Sequence, residues 1–260
     1  MKTGWLRLVL KMNAKMHSKS DPVVILISSG KGGSGKTTLA RNLLASATAD
    51  GFQAVGLDLD EQMSLRAWSD IRDTTIADMK SDGEETNLKE IPVEVANYID
   101  GVAALQEIKD VEGIDVIVVD TPSGFQTGDA ASVLPGLTSR SNFILVPCRQ
   151  SATDTRAVKA WYADALHESD KASIVLMGVR RQSRSCDMAN NMLAECGDVC
   201  PIIIRDLEVY RSTDQYGLGV TESNLAREKD PDFVSLWLWL RRKVGLNGNK
   251  TPDILSKKVA

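Results

Sequence analysis

Eight consecutive residues, Gly30-Lys31-Gly32-Gly33-Ser34-Gly35-Lys36-Thr37, fit the spacing G-x-x-x-x-G-K-[ST]. Their types are those needed to meet a polyphosphate at close range. Glycines turn the backbone and let it approach the anion with no Cβ in the way. Successive N–H groups at the start of the helix that follows then point at the phosphates, with the helix dipole behind them. The pattern predicts that Lys36 lies on the β- and γ-phosphates of ATP and that Thr37 offers its hydroxyl to Mg²⁺. Thr38 is expected at the α-phosphate, and Gly32, Gly33, Ser34 and Gly35 complete the nucleotide-binding set.

Two further segments bring carboxylates to such a site. Ile117-Val118-Val119-Asp120 is an apolar run ending in an acid. In a parallel sheet it would deliver Asp120 to the edge where ligands bind, to hold Mg²⁺ through water. Leu57-Asp58-Leu59-Asp60-Glu61-Gln62 brings two more acids to the end of the strand after the P-loop helix. A hydrolase needs a group there to orient the attacking water. Asp60 is favoured for water positioning and Asp58 for the metal or a switch contact, with the reverse assignment open from sequence.

These residues have to be held by a scaffold, and the apolar pattern says which. Short β-branched runs at Val23 to Ser28, Ala54 to Asp58, Ile91 to Val95, Ile114 to Asp120, Asn142 to Pro147, Ser173 to Val179 and Val199 to Arg205 read as strands. Helix-compatible stretches at Thr37 to Ala49, Tyr98 to Asp110, Asp154 to His167 and Ser185 to Glu195 alternate with them. The predicted fold is α/β, a mainly parallel twisted sheet with helices on both faces. Ser69 to Glu90 is polar and acidic, contains Asp82-Gly83, and is expected to be a surface loop or insert. Phe233, Leu236, Trp237, Leu240 and Val244 form one helical stripe near the end, with Trp239 off it. The expected organisation is an extension over 1–20, one ATPase domain over 21–246 and a tail over 247–260.

Composition narrows the class. Among 260 residues, 43% are hydrophobic and 25% charged, as in ordinary globular proteins. No apolar run approaches the ~18 residues of a membrane span, so stable membrane insertion is not expected. Trp5 to Leu10 is broken by Arg7 and does not read as a signal peptide. Cys148, Cys186, Cys196 and Cys200 lack C-x-x-C spacing, which fits a reducing cytoplasm. Residues 1–130 hold 13 basic and 20 acidic side chains, whereas 131–260 hold 18 and 15, so the second half is the basic one.

At Lys31-Gly32-Gly33-Ser34-Gly35-Lys36-Thr37-Thr38 the chain resembles the ParA/MinD family of deviant-Walker ATPases, whose signature is a second lysine early in the loop, here Lys31. The resemblance continues through Asp58 to Gln62, Asp120-Thr121-Pro122, Val146-Pro147 and Arg211 to Val220. It implies an ATP-bound homodimer in which Lys31 of one subunit reaches the phosphates held by the other, a cation supplied in trans to the transition state. Glu61 and Ser123 stand where many relatives have proline, and Met177-Gly178-Val179-Arg180 lacks the asparagine many place near adenine. These departures point to the small partition ATPases or their conjugation-associated StbB-like relatives.

The function this implies is plasmid or chromosome partition by ATP-regulated, non-specific DNA binding, in the cytoplasm on the nucleoid, with a centromere-binding or other adaptor stimulating hydrolysis. Arg205, Arg211, Arg227, Arg241 and Arg242 are the candidates for DNA phosphates. A MinD-like membrane-positioning ATPase is the alternative, carried by the Trp237/Trp239 helix, and a metabolic P-loop kinase or ligase is a third. No cysteine falls in the expected switch loops, which argues against an iron–sulfur relative.

Overall fold

The structure, a computed structural model, describes residues 21–124, 128–166, 169–180, 184–222 and 231–247. The expected extension over 1–20, Arg227 and nearly all of the expected tail lie outside the described residues. Seven strands, β1 (Val23–Ile27), β2 (Ala54–Asp58), β3 (Val93–Val95), β4 (Val116–Asp120), β5 (Phe143–Arg149), β6 (Ala172–Val179) and β7 (Ile204–Arg205), form one sheet in the order β3-β2-β4-β1-β5-β6-β7. Every pairing is parallel. The carboxyl ends of all the strands therefore lie on one edge, and the chain leaves β1 in the middle of it.

Alternate residues of the central strands face two separate cores. Val24 and Leu26 of β1 look to one side, where α3 (Gly101–Lys109), α4 (Val133–Arg140), α5 (Ala152–Ala165) and α6 (Arg184–Ala194) supply Leu105, Leu137, Trp161 and Leu193. Ile25 and Ile27 look to the other, toward Leu43 of α1 (Lys36–Ala49), Trp68 of α2 (Ser64–Ser81) and Trp237 of α8 (Pro231–Lys243). Burial on both faces is why these strands read as continuous apolar runs. α7 (Val209–Ser212) is a single turn in the segment that returns from β7 across α1.

Three expectations about the scaffold need correction. The polar stretch after Ser69 is not a loop for most of its length, since α2 runs to Ser81 and only then turns at Asp82-Gly83. Its buried stripe is Leu65, Trp68, Ser69, Arg72 and Ile76, and two of those five are polar, which hid the period. Arg72 is fully buried in a bidentate pair with Glu222 and donates as well to the carbonyls of Lys89 and Gly217. β7 is only two residues long, with Val199 forming an isolated bridge to Ile174 beyond Pro201. β5, in contrast, runs two residues past Pro147. β1 pairs with Phe143 to Leu145 and then departs into the P-loop, so the donor Pro147 lacks has no strand to face.

The Phe233, Leu236, Trp237 and Leu240 stripe packs into the second core as predicted, with Val244 partly buried against it. Trp237 Nε1 donates to Asp50 Oδ2 at 2.9 Å, and Arg241 closes the same carboxylate at 2.6 Å. Trp239 stands edge-on to Phe143 with ring centroids 5.6 Å apart. The two tryptophans that carried the membrane alternative are thus both turned into the protein. Among the described residues, no helix is long and apolar enough to cross a membrane.

Candidate functional site: a braced phosphate loop

The loop from Ser28 to Gly35 connects the end of β1 to the first turn of α1, and it is supported from beneath at three points. A Cβ on Gly30 would lie 2.5 Å from the indole of Trp161, so only glycine fits above that ring. Met177 of β6 approaches the position of a Cβ on Gly35 to 3.2 Å, and Ser123 stands 3.7 Å from that of Gly32. Gly33 and Gly35 both use the left-handed region, with φ of 71° and 102°. The helix that starts at Lys36 has no side-chain N-cap, which leaves its first N–H groups facing the loop.

Around this loop the register brings together the acids expected from sequence. Asp120 pairs with Ile27 on one side and with Asp58 on the other, so both carboxylates sit level with the end of β1. Thr37 donates its hydroxyl to Asp120 Oδ2 at 2.7 Å. Asp120 Oδ1 is buried with no hydrogen-bond partner, as are the hydroxyls of Ser29 and Ser34. Burial pushes the Asp120 carboxyl up to about 7, helped by the charges of Asp58 and Asp60 and opposed by Thr37 and Lys36. A buried acid with an orphaned oxygen beside a threonine hydroxyl is a donor set that suits a hard cation. Thr37 and Asp120 are the residues that would hold Mg²⁺. Among the described residues no three His, Cys, Asp or Glu side chains converge as a metal cage, so any bound Mg²⁺ would depend on phosphate oxygens and water as well.

Lys36 is buried, and its ammonium donates to Ser123 Oγ at 2.8 Å. Burial lowers its pKa, against the opposing pull of Asp120 and Asp60. Ser123, noted from sequence only as a departure from the family pattern, is therefore a direct partner of the loop lysine. Thr38 occupies the same first turn of α1, half-buried.

Asp58 and Asp60 divide differently. Asp58 is fully buried and its carboxylate is occupied by backbone: Oδ1 accepts from Asp60 N at 3.1 Å, and Oδ2 from Leu65 N at 2.9 Å and Arg66 N at 3.0 Å. It caps α2 from the preceding strand. Burial raises its pKa, the three backbone donors lower it and the Asp60 charge raises it again, with a net upward shift. Asp60 is half-buried in the intervening loop, where Oδ1 accepts from Gln62 N at 3.0 Å. The Asp58 carboxylate, expected at the metal or at a switch contact, is thus taken up by backbone donors of the segment that leads into α2. Met63 closes this loop in the left-handed region, at φ 48°.

Lys31 is ion-paired within its own subunit to Asp154, the third residue of α5, which Ser151 also contacts. Burial pushes the Asp154 carboxyl up, but the hydrogen bonds from Lys31 and Ser151 and the nearby Lys31 and Arg149 charges outweigh it and hold it low. Sequence reasoning did not find Asp154. The signal available was Ser151-x-x-Asp154 at a helix start, which reads as a cap.

The arginines assigned to DNA are dispersed. Arg205 pairs with Asp232 at the start of α8, and Arg241 with Asp50 at its end, a separation of roughly 13 Å along the helix. Arg211 pairs with Asp206 and Glu208. Arg242 is exposed. Acids thus fall beside three of the four candidate arginines that are described.

Comparison with known proteins agrees with this geometry. Residues 25–217 match the model of the CobQ/CobB/MinD/ParA nucleotide binding domain. The maintenance of carboxysome distribution protein A of Gloeobacter kilaueensis is 32% identical over 117 residues, which cover 45% of this chain and 46% of that protein. The chain is thus matched over about half the length of this curated relative. Among solved structures, MinD of Pyrococcus horikoshii with Mg-ADP superposes with a TM-score of 0.66 at 18% identity, covering 88% of this chain and all of that one. An ATP complex of a Cyanothece McdA variant gives 0.63 at 15% identity, covering 89% and 100%. With the fold shared, the loop carrying both lysines and the matched span covering most of the sheet, this chain belongs to the CobQ/CobB/MinD/ParA nucleotide-binding domain family.

Proposed function

We propose that this chain is an ATPase that converts ATP and water to ADP and phosphate, and that it closes into a homodimer around ATP. The observation that carries the reading is the braced loop, with Lys36 buried against Ser123 and Thr37 bonded to Asp120 beneath it. Backbone N–H groups of residues 32–38 would bind the phosphates, and Lys36 would neutralise charge on the β–γ bridge. Asp60, on the loop above, would orient the attacking water. Mg²⁺, when bound, would screen the phosphate charge and fix the phosphate oxygens. Lys31 would leave Asp154 and reach the partner subunit's nucleotide. This makes turnover depend on association, and the γ-phosphate becomes the signal that separates dimer from monomer.

The role proposed for that cycle is partition of DNA cargo on the nucleoid, through non-specific DNA binding by the ATP-bound dimer and release after an adaptor stimulates hydrolysis. The basic second half of the chain supports it, and Arg242 is the described candidate arginine for which no intramolecular ion pair competes. The packing of Trp237 in the core and of Trp239 against Phe143 gives the membrane-positioning alternative less support from this helix.

The test combines association and turnover, measured for the native chain, Lys36→Ala and Lys31→Ala. Lys36→Ala is expected to lose ATP binding. Lys31→Ala is expected to bind ATP but hydrolyse it at least tenfold more slowly, and native turnover in that variant would refute the trans-lysine mechanism. Cosedimentation with unrelated duplexes should require ATP and weaken steeply between low and physiological salt. No binding in either nucleotide state would remove the DNA role.

A further inference from the structure

Arg149 is the last residue of β5, reached only because the strand continues past Pro147. Its Nε donates to the Gly33 carbonyl in the middle of the phosphate loop at 2.7 Å. It passes beside Gly178 on the neighbouring strand, whose φ of 64° favours glycine and where a Cβ would stand in ordinary contact, 3.4 Å from Arg149 Nη1. No sequence pattern marked this arginine.

The bond matters because of what lies on the other side of the same peptide unit. In a trans peptide the C=O and the following N–H point in opposite directions. A carbonyl of Gly33 held outward by Arg149 therefore sends the Ser34 N–H away from Arg149, toward the anion the loop is built to hold. On its Gly33 side this peptide unit has no Cβ to restrict rotation, at φ 71°, so a bond to the Gly33 carbonyl adds a restraint that glycine itself does not supply. A cation on the carbonyl also polarises the amide and strengthens its N–H as a donor.

We propose that Arg149 is a positioning residue for the nucleotide, which holds the Gly33–Ser34 peptide with its N–H toward the phosphates. The inference rests on the ATPase reading above and adds a residue to its site. It distinguishes a hydrogen-bond role from simple positive charge near a polyanion, because the Nε2 of a glutamine stands the same number of bonds from Cα as the Nε of arginine. Glutamine keeps the donor and loses the charge, whereas lysine keeps the charge and places it one bond farther out.

The experiment measures Mg-ATP affinity by calorimetry and nucleotide-free Tm for the native chain and for Arg149→Ala, Arg149→Gln and Arg149→Lys. Arg140→Ala, an exposed arginine at the end of α4, serves as the control. Arg149→Ala is expected to weaken ATP binding about tenfold or more at unchanged Tm, Arg149→Gln to recover most of the loss, and Arg140→Ala to match the native chain. Native-like affinity in Arg149→Ala, or recovery by lysine but not by glutamine, would overturn the inference while leaving the ATPase reading intact. Failure of the native chain to bind ATP would overturn both.

Discussion

Replacing Gly30 by alanine adds a single methyl group, and its neighbour is the indole of Trp161. The new carbon would stand 2.5 Å from two ring atoms of Trp161 and 2.7 Å from its Cβ. Unstrained carbon–carbon contact needs about 3.5–4.0 Å, so roughly one ångström must be found. Gly30 does not use a left-handed backbone, which leaves this contact as the reason for glycine here. Trp161 is 2% exposed in the core formed by α5 and α6 and has no open direction in which to swing. Either that core is strained, at about 1–3 kcal/mol for an overpacked site, or the loop lifts. A lift of one ångström takes its N–H groups out of hydrogen-bond range of a phosphate. Thermal unfolding followed by far-ultraviolet circular dichroism, with a parallel Mg-ATP titration, measures both branches. We expect a Tm lower by a few degrees and ATP affinity reduced at least tenfold. The Trp161→Ala background removes Cγ and Cδ1, two of the three close atoms, and should relieve part of the penalty, with a coupling of about 1 kcal/mol or more in the double-mutant cycle. Native stability and affinity in Gly30→Ala, or strict additivity with Trp161→Ala, would refute the argument that the indole sets the height of the loop.

Two further predictions follow from buried charge. Arg72→Ala strands the Glu222 carboxylate and the carbonyls of Lys89 and Gly217, and should cost about 3–5 kcal/mol in urea denaturation. Arg72→Met combined with Glu222→Gln should cost less than that single change, and equal costs would argue against an unpaired charge as the cause. In nucleotide-free protein with chelator, Asp120 keeps its proton up to about pH 7, whereas the unfolded chain releases it near 4. The native state then binds more protons across that window. Stability from this group is complete below about pH 4 and is lost as pH rises through 7, by up to about 4 kcal/mol. Denaturation midpoints measured from pH 5 to 8 should fall less in Asp120→Asn than in the native chain, and identical slopes would contradict the assignment.

Strands buried on both faces were legible because they leave unbroken runs such as Val116 to Val119. The α1 and α8 helices were legible from the spacing of their apolar residues. α2 was not, because tertiary structure satisfied Ser69 and Arg72 in the core by hydrogen bonds to carbonyls and to Glu222, 150 positions away. A buried arginine looks the same in sequence as a solvated one. The acidic neighbours of the candidate DNA arginines were hidden for a related reason. Sequence counts charges, but whether Arg205 and Arg241 present those charges outward depends on Asp232 and Asp50, which are distant in the chain.

The phosphate loop belongs to the sequence, since glycine spacing, Lys36 and Thr37 are local requirements of a turn that must meet an anion. That Asp120 would stand beside it also follows from sequence, through the rule that parallel strands end on one edge. Only the tertiary structure decided how the loop is held: Trp161 beneath Gly30, Ser123 on Lys36, Arg149 on the Gly33 carbonyl and Asp154 on Lys31. Each of these partners is brought in by packing between elements 87 to 131 residues apart, and packing geometry has no spacing rule to read.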